Sequence, residues 1–412
     1  MMHLRSLHAL VVLAALAAPC TMHGQSDSSW VASWASAQQV PEPANALPAT
    51  DLTDATLRQI VHLSLGGSAV RVRLSNAFGT TDLHLGGVHL ARAVSPASSA
   101  IDTRTDRTLT FHGAQDVIIP AGADYWSDPV SLPISAGTDI AITLHLDTAP
   151  ATETSHPGSR ATSYLAHGMH LADGELSTPK TFEHWFFLSG IDVAASSQDA
   201  AIVALGDSIT DGHGATTNGN DRWPDDLAQR LAQATSHRSV VNVGIGGNHV
   251  LTDGLGPNAL ARFNRDVLAQ SRVRVLILLE GVNDLGALAR QTPPASGEEH
   301  AALLQRLEAG YQQMIDRAHA QGLFVIGGTI LPYTGSDYYH PAVADEAARQ
   351  ELNAWIRQPG HFDAVVDFDS VTRDPQRPDR LLPAYDSGDH LHPSPAGYRA
   401  MAAAIPLALL QH

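Results

Sequence analysis

Three polar residues in the C-terminal half of the sequence have the types needed for nucleophilic catalysis. Ser208 carries a hydroxyl group, which becomes a good nucleophile only when a base removes its proton. His392 suits the role of that base because the pKa of an imidazole lies near neutrality. Asp389 stands three residues before His392, so one short turn would bring its carboxylate to the other ring nitrogen. These residues predict a Ser-His-Asp triad that attacks a carbonyl carbon.

Such a triad also needs hydrogen-bond donors for the oxyanion that forms when the carbonyl is attacked. Gly247 has no Cβ, so a ligand can approach its backbone N–H closely. Asn283 offers a side-chain amide, and the backbone N–H of Ser208 is a third candidate donor. We therefore predict an oxyanion hole formed by Ser208, Gly247 and Asn283.

The same clusters have interpretations that involve no catalysis. Asp207 and Ser208 are common at the start of a helix, where their side chains cap backbone N–H groups. The pair Gly246–Gly247 is typical of a turn, and Asn283 followed by Asp284 is typical of a turn or a cap. Catalysis is favoured if the clusters meet in the fold, because together they supply the nucleophile, the base, its orienting carboxylate and the oxyanion donors.

A metal site is a further alternative for the last cluster. Asp389, His390 and His392 have side chains that bind metals, and the sequence contains 22 histidines. Two histidines two positions apart beside an acid are a weak signal, because no further well-spaced ligand is evident. We therefore predict no metal and no organic cofactor. A metal-dependent hydrolase stays as an alternative, which loss of activity in a chelator would reveal.

The elements around these clusters predict an α/β domain over residues 200–412. Apolar runs without alternation, typical of parallel strands buried on both faces, alternate there with amphipathic helical segments. The predicted strands are AIVALG, VVNVGI, VRVLILLE, LFVIGGT and DAVVDF. The predicted helices are Trp223–Ala234, Asn258–Gln270, Glu298–Ala320, Pro341–Arg357 and a last one after Ser394, an N-cap followed by Pro395. Each cluster follows a strand, and ligands of doubly wound sheets bind at the carboxyl ends of the strands.

Residues 27–197 have a different periodicity, which predicts an antiparallel β-sandwich. Apolar and polar residues alternate in AVRVRLSN, around Val72, and in DIAITLHL, around Ile142. Clusters of Gly, Pro, Ser and Asp separate these short runs, as turns do. The segment Asp51–Gln59 is the single stretch here with some helical periodicity. We place the linker between the two domains at Ala195–Ala200.

Composition excludes several classes of partner. Hydrophobic residues make up 44% of the 412 residues and charged residues 16%, which excludes a disordered chain. The formal net charge is −17, from 25 basic and 42 acidic residues, and no run of Lys or Arg is present. A nucleic-acid backbone or an anionic membrane surface is therefore not an expected partner.

The N-terminus predicts export. The apolar run Ala9–Ala18 is too short to span a bilayer and matches the core of a signal peptide over residues 1–25. A buried N-terminal helix is the alternative. Pro19 fits a lipid-anchor signal at Cys20 poorly, so we expect a secreted or periplasmic protein without an anchor. Because Cys20 is the single cysteine, cleavage after it would leave no disulfide and no thiol nucleophile.

Four motifs, in this order, resemble those of the SGNH (or GDSL) hydrolase family. They are Gly206-Asp207-Ser208, the segment NVGIGGN with Gly247, Gly281-Val282-Asn283-Asp284, and Asp389-His390-Leu391-His392-Pro393. The resemblance covers about residues 200–412 and departs at Gly246, where many members carry serine. It implies a three-layer, flavodoxin-like domain with a five-stranded parallel sheet, the triad and oxyanion residues named above, and no cofactor.

Within that family the sequence looks most similar to secreted bacterial acetylesterases of the xylan type. This resemblance implies an ester substrate, above all acetylated polysaccharide or oligosaccharide, and an accessory role for the sandwich domain. That domain would bind carbohydrate or form a wall of the active site. Tyr125, Trp126, Trp185 and Phe186 are candidates for a sugar platform, although burial in the core explains such aromatics as well.

Two rival functions remain at this level. A lipase or phospholipase would act on longer acyl chains and would show this in the chain-length dependence of hydrolysis. A carbohydrate-binding protein with an inactive hydrolase fold is the second rival, against which the complete set of Ser208, Asp389 and His392 argues.

Overall fold

The computed structural model describes residues 29–412. Two regions with different sheet geometry follow each other along this part of the chain. The predicted signal peptide and Cys20 lie outside the described residues. Among the helices that are described, none is long and apolar enough to cross a membrane.

The N-terminal region consists of antiparallel strands and one short 3-10 helix at Thr103–Thr105. Its strands are β1 Ser29–Ala35, β2 Ala55–His62, β3 Gly67–Ser75, β4 Leu83–Leu85, β5 Gly87–Arg92, β6 Arg107–Thr108, β7 Val117–Ile119, β8 Asp124–Trp126, β9 Val130–Ile134, β10 Asp139–Leu146, β11 Ser155–His156, β12 Ser163–His167, β13 Lys180–Phe182, β14 Trp185–Phe186 and β15 Leu188–Ala195.

Two sheets of this region face each other across a common core. One has the order β1-β15-β3-β8, with β9 also paired to β3, and the other has the order β13-β12-β2-β10-β5-β6. Val72 of β3 and Ile142 of β10, from the two alternating runs, are fully buried in that core. The predicted sandwich is confirmed, and the alternation arises because one face of each strand packs inward.

The helical expectation for Asp51–Gln59 is wrong. Ala55–His62 is a strand, β2, that pairs with both β10 and β12. Arg58 and Gln59 are buried there, and their side chains donate hydrogen bonds to Thr143 Oγ1 and to the backbone oxygen of Phe186. Partners distant in sequence therefore decide the conformation of this segment, which local periodicity does not reveal.

The C-terminal region is an α/β domain. Its strands are β16 Ala200–Gly206, β17 Arg238–Gly244, β18 Val273–Leu279, β19 Phe324–Gly328, β20 Ala364–Val366, β21 Arg373–Asp374 and β22 Arg377–Leu381. Its helices are α1 Ser208–Asp211, α2 Trp223–Gln233, α3 Ala259–Phe263, α4 Val282–Ala289, α5 Gly297–His319, α6 Val343–Arg357, α7 Phe368–Thr372 and α8 Pro395–Ala404, with a π-helical turn at Asn264–Leu268 and a 3-10 helix at Leu407–Leu410.

The five strands β16 to β20 form one parallel sheet in the order β17-β16-β18-β19-β20. This order is the flavodoxin-like 2-1-3-4-5 arrangement, so the predicted fold class is confirmed. The longer helices begin and end close to their predicted bounds. The short helices α1, α4 and α7 are not predicted, because the Asp, Ser and Asn residues at their starts suit turns equally well.

The two regions pack together along β1. The backbone N–H of Ala32 donates to the backbone oxygen of Ser271, and the backbone oxygen of Ala32 accepts a hydrogen bond from Ser239 Oγ at 2.6 Å. Val31 and Ala35 are buried in the core of the α/β domain. The chain then passes from β15 to β16 through residues 196–199. Because β1 serves both cores, the N-terminal domain is held firmly beside the predicted active site.

Candidate active site

Ser208 lies at the carboxyl end of β16, where α1 begins. Asp207 is the N-cap of α1, and its Oδ1 accepts a hydrogen bond from the N–H of Ile209 at 2.9 Å. A Cβ at Gly206 would come within 2.6 Å of the backbone oxygen of Leu279, so the close turn requires glycine. Asp207 is thus a helix cap, as one interpretation of the sequence holds, and the turn presents Ser208 at the sheet edge with 8% of its surface exposed.

The structure brings Ser208, His392 and Asp389 together. Ser208 Oγ is 2.7 Å from Nε2 of His392, and Nδ1 of His392 is 2.6 Å from Oδ2 of Asp389. An ionised carboxylate can only accept, so Nδ1 carries the ring hydrogen and Nε2 is free to accept the proton of Ser208. This is the geometry of a base that is held by an acid and poised over a hydroxyl.

The carboxylate of Asp389 is held in its charged form. Its Oδ1 accepts hydrogen bonds from the backbone N–H groups of Leu391 and His392 and from the hydroxyl of Ser387. Partial burial raises the pKa of Asp389, but the bonds from His392 and from the backbone outweigh this and hold it well below its usual range. Asp389 therefore stays ionised and can orient the ring.

Gly247 and Asn283 lie beyond the ends of β17 and β18, the strands on either side of β16. Gly247, in the turn after β17, has a φ of 66°, a conformation that favours glycine. Asn283 lies in the first turn of α4 and is buried. Its Nδ2 donates to the backbone oxygen of Asn248 at 2.6 Å, and its Oδ1 accepts from Tyr339 Oη at 2.5 Å. One hydrogen of the Asn283 amide remains for an oxyanion.

Arg262, which the sequence does not single out, ties these elements together. This fully buried guanidinium donates to the backbone oxygen of Gly206 at 3.0 Å, to that of Val243 at 2.5 Å and to Oδ1 of Asn248 at 2.9 Å. Glu280 and Asp266 balance its charge at 3.4 and 3.1 Å. In the sequence, Arg262 looks like one more polar residue on an amphipathic helix.

Buried acidic residues adjoin the residues that are predicted to form the oxyanion hole. Asp284 accepts hydrogen bonds from the N–H groups of Val250 and Leu251 and so holds the turn that follows β17. Burial raises the pKa of Asp207 to about 7, against the hydrogen bond from Ile209 and with the help of the charge of Asp284. The site thus contains acids whose ionisation is opposed by their surroundings.

The N-terminal domain borders the site through the segment that begins at β11. Nδ1 of His156 donates to the backbone oxygen of Ala37 at 2.7 Å, and its Nε2 is 2.9 Å from Oδ1 of Asp211 in α1. Arg160 reaches His213, whose ring lies against that of His392. These partners are 53 or more residues apart in sequence, so no local motif announces them.

The aromatic candidates divide into core and surface. Trp185 and Phe186 are buried in the sandwich core, whereas Tyr125 is 39% exposed. Trp126 lies beneath the guanidinium groups of two arginines of β3. A different aromatic, Tyr338, is 60% exposed and adjoins Tyr339, the partner of the Asn283 amide.

The structure changes the third residue of the metal alternative. Nδ1 of His390 is 2.5 Å from Oδ2 of Asp386, whereas ligand atoms of His213, Asp389 and His392 lie within 4.8 Å of one another. Ser208 and Asp389 engage both ring nitrogens of His392, so hydrogen bonding accounts for this cluster without a metal ion.

Comparisons with known proteins point to one family. Residues 204–400, a little under half of the chain, match the model of the GDSL-like lipase/acylhydrolase family. No curated protein matches the chain.

Solved structures similar to this chain cover about half of it. One is a G-D-S-L family lipolytic protein from Desulfitobacterium hafniense, with 22% identity over 52% of this chain and 100% of that one and a TM-score of 0.38. Another is an acetyl xylan esterase from Geobacillus stearothermophilus, with 22% identity over 50% of this chain and 92% of that one and a TM-score of 0.37. The family match over residues 204–400 and the four motifs at the strand ends make the C-terminal domain of this chain similar to the GDSL-like lipase/acylhydrolase family.

Proposed function

We propose that this protein is an exported serine esterase that removes short acyl groups, acetyl above all, from carbohydrates. The observation that carries the catalytic part is the unbroken chain of hydrogen bonds from Ser208 Oγ through His392 to Asp389. One hydrogen bond from the hydroxyl to the imidazole and a second from the imidazole to a carboxylate are what a general base needs in order to activate a hydroxyl nucleophile.

The proposed reaction proceeds through an acyl-enzyme. Ser208 Oγ attacks the ester carbonyl carbon while Nε2 of His392 takes the hydroxyl proton, and the carbonyl oxygen becomes an oxyanion. The N–H groups of Ser208 and Gly247 and the Asn283 amide stabilise this charge. His392 then gives its proton to the departing alcohol as the C–O bond breaks. In the second half, His392 deprotonates a water molecule, which attacks the acyl carbon and releases the acid and Ser208.

Side chains around Gly247 and Asn283 favour a small acyl group and a sugar-like alcohol. A Cβ at Gly247 would come within 3.2 Å of the side chain of Leu255, so Leu255 limits the space on that side. Tyr338 is exposed beside the partner of Asn283, and the guanidinium of Arg290 lies 4.7 Å from its ring centroid, so the exposed remainder of the ring is the candidate sugar contact. The looser resemblance to acetylesterases of the xylan type supports the same substrate class.

Hydrolysis of p-nitrophenyl esters from acetate to palmitate, by wild type and Ser208→Ala in parallel, tests this proposal. We expect activity to peak at acetate or butyrate and to fall at least about 10³-fold in kcat in Ser208→Ala, because the nucleophile is lost. Activity should persist in a chelator. A peak at long chains would favour a lipase, and activity that survives in Ser208→Ala would contradict the mechanism.

Tyr338→Ala and Tyr125→Ala form a matched pair for the carbohydrate part of the proposal. Both tyrosines are partly exposed, but they lie in different domains. We expect Tyr338→Ala alone to lower kcat/KM on acetylated xylan, while hydrolysis of p-nitrophenyl acetate is little changed. An effect of Tyr125→Ala alone would instead assign sugar binding to the sandwich domain.

Export is proposed from the sequence of residues 1–25, with its short apolar core. Expression of the full chain in a bacterial host, followed by N-terminal sequencing of the protein recovered outside the cytoplasm, tests it. A mature N-terminus between Cys20 and Gln25 is expected. Recovery of the uncleaved chain from the cytoplasm would contradict export.

A further inference from the structure

A second histidine, His213, lies against the predicted triad. Its ring centroid is 4.1 Å from that of His392, and its Nε2 is 3.7 Å from Oδ2 of Asp389. About half of its side chain is exposed, so it borders the open side of the site. A positive charge on this ring would oppose the formation of the imidazolium that His392 becomes during catalysis.

The N-terminal domain controls the hydrogen bonding of His213. Nη2 of Arg160 is 3.0 Å from Nδ1 of His213. A guanidinium group can only donate, so Nδ1 is the acceptor and the hydrogen of the neutral ring is on Nε2, on the side of Asp389. A second proton would have to enter at Nδ1, where it would meet the guanidinium of Arg160.

The backbone of Arg160 is held in a conformation that the surrounding contacts must maintain. Its φ is 48°, in the left-handed region that non-glycine residues seldom adopt. The N–H of Asn218 donates to the backbone oxygen of Arg160 at 2.8 Å, and Arg222 donates to the backbone oxygen of Ser159. Both donors belong to the α/β domain. Strain of this kind persists where it directs a side chain to a particular task.

We propose that Arg160 is a positioning residue of the active site, which holds His213 uncharged and oriented beside His392. The inference rests on the proposed function, because it assigns a task in the catalysis by Ser208 and His392. It also gives the N-terminal domain a place in the active site, in addition to any binding of carbohydrate.

The charges around His213 agree with this assignment. Partial burial, the neighbouring His392 and the charge of Arg160 lower the pKa of His213 to about 4, while two carboxylates act in the opposite direction. The titratable and charged groups that face His213 come from several elements. They are Arg160 from the N-terminal domain, Asp211 from α1, and Asp389 and His392 from the segment before α8. Tyr398 of α8 also faces His213, because its hydroxyl donates to the backbone oxygen of His213.

The pH dependence of kcat/KM for p-nitrophenyl acetate tests the proposal. In the wild type, one catalytic base governs the acid limb, so log kcat/KM should rise there with a slope of about 1. Arg160→Met removes the cation and frees Nδ1, so the pKa of His213 should rise, while burial and the neighbouring His392 continue to lower it. The acid limb should then be steeper than in the wild type, because protonation of His213 adds to the loss of activity. A purely structural defect would lower the plateau and leave the slope unchanged.

Two further variants separate the explanations. Arg160→Met combined with His213→Gln should return the slope to about 1, because glutamine does not titrate. Arg160→Lys, which keeps a charged donor, should keep the wild-type slope. A slope of about 1 in Arg160→Met, or a steep limb that persists in the double variant, would overturn the proposal.

NMR titration of the His213 ring gives a readout independent of catalysis. The signal is identified by its loss in His213→Gln, and it should not titrate above about pH 5 in the wild type but should do so in Arg160→Met. Titration of wild-type His213 at its ordinary pKa would overturn the assignment. An inactive wild type would contradict the proposed function alone, and this titration would still confirm or overturn the role of Arg160.

Discussion

The candidate active site has an oxyanion side, around Gly247 and Asn283, and a histidine side, around His392 and His213, and the two are built differently. On the oxyanion side, the hydrogen-bond partners of Asn283 belong to the α/β domain, and the buried Arg262 of the same domain binds Asn248 in the turn after β17. On the histidine side, Asp389 has a side chain that is 40% exposed. The ring of His213 beside it is held by Arg160 of the other domain.

This difference separates two ways of positioning a functional group. Strand ends of a parallel sheet converge without help from another domain, so the oxyanion side follows from the α/β fold itself. The histidine side depends in addition on how the two domains dock. Changes on the oxyanion side should therefore act on transition-state stabilisation, and changes at the domain contact should act on stability or on proton binding.

Among variants that compare the two sides of the site, the largest effect is expected from Asn283→Ala. Loss of one oxyanion donor should lower kcat by about 10²- to 10³-fold, because the charge that develops in the transition state loses a hydrogen bond. KM should change little, and the slope of the acid limb should stay as in the wild type. Steady-state kinetics of p-nitrophenyl acetate hydrolysis measures all three quantities.

Asn353→Ala is the matched control. This buried amide exchanges two hydrogen bonds with the backbone of Ile330 and takes no part in the proposed reaction. It should lower the free energy of unfolding without a comparable fall in kcat. Equal losses of kcat in both variants would show that Asn283 acts through the fold and would remove it from the oxyanion hole.

An intermediate effect is expected at the domain contact. His156→Ala should lower the free energy of unfolding by about 2 to 3 kcal/mol, because Asp211 stays buried without its partner. His84 and Asp116 form a His–Asp pair on the surface, with side chains that are 38% and 63% exposed. His84→Ala should therefore change stability by less than about 0.5 kcal/mol. Urea unfolding measures both, and equal costs would contradict a special role of the contact.

The smallest effect is expected from Asp207→Asn and depends on pH. With its pKa raised to about 7, Asp207 binds its proton more tightly in the folded chain than in the unfolded one. Its ionisation therefore lowers stability progressively as the pH rises from about 4 to 7, and the full loss is present above that range. Asparagine stays neutral and can still accept from Ile209. Asp207→Asn should be more stable than wild type by about 1 kcal/mol at pH 8 and equal to it near pH 4.

Asp389→Asn should behave in the opposite way. The pKa of Asp389 is lowered in the folded chain, so its charged form contributes stability above the ordinary pKa of a carboxyl group, and this contribution is lost as the pH falls. At pH 8 the variant should therefore be less stable than the wild type in urea unfolding. Stability changes of opposite sign at pH 8 in Asp207→Asn and Asp389→Asn would support the contrast between the two sides of the site.

Much of the site could be predicted from the sequence, because local patterns carry the necessary information. Period-two alternation around Val72 and Ile142, and apolar runs without it after residue 200, predicted the two sheet types that the structure contains. Ser208, Gly247 and Asn283 each directly follow one of these runs, so their convergence at one sheet edge was foreseeable. The strand β2 and the role of Arg262 were not foreseeable, because both depend on buried partners elsewhere in the chain.

The sequence by itself determined the residue types of the candidate site and the sheet that gathers them, since strand burial and motif order are local properties. Only the tertiary structure decided what surrounds these residues. The contact of Arg160 with His213 joins positions 53 residues apart across a domain boundary. Such contacts follow from how two complete surfaces fit together, and no spacing within a motif encodes that fit.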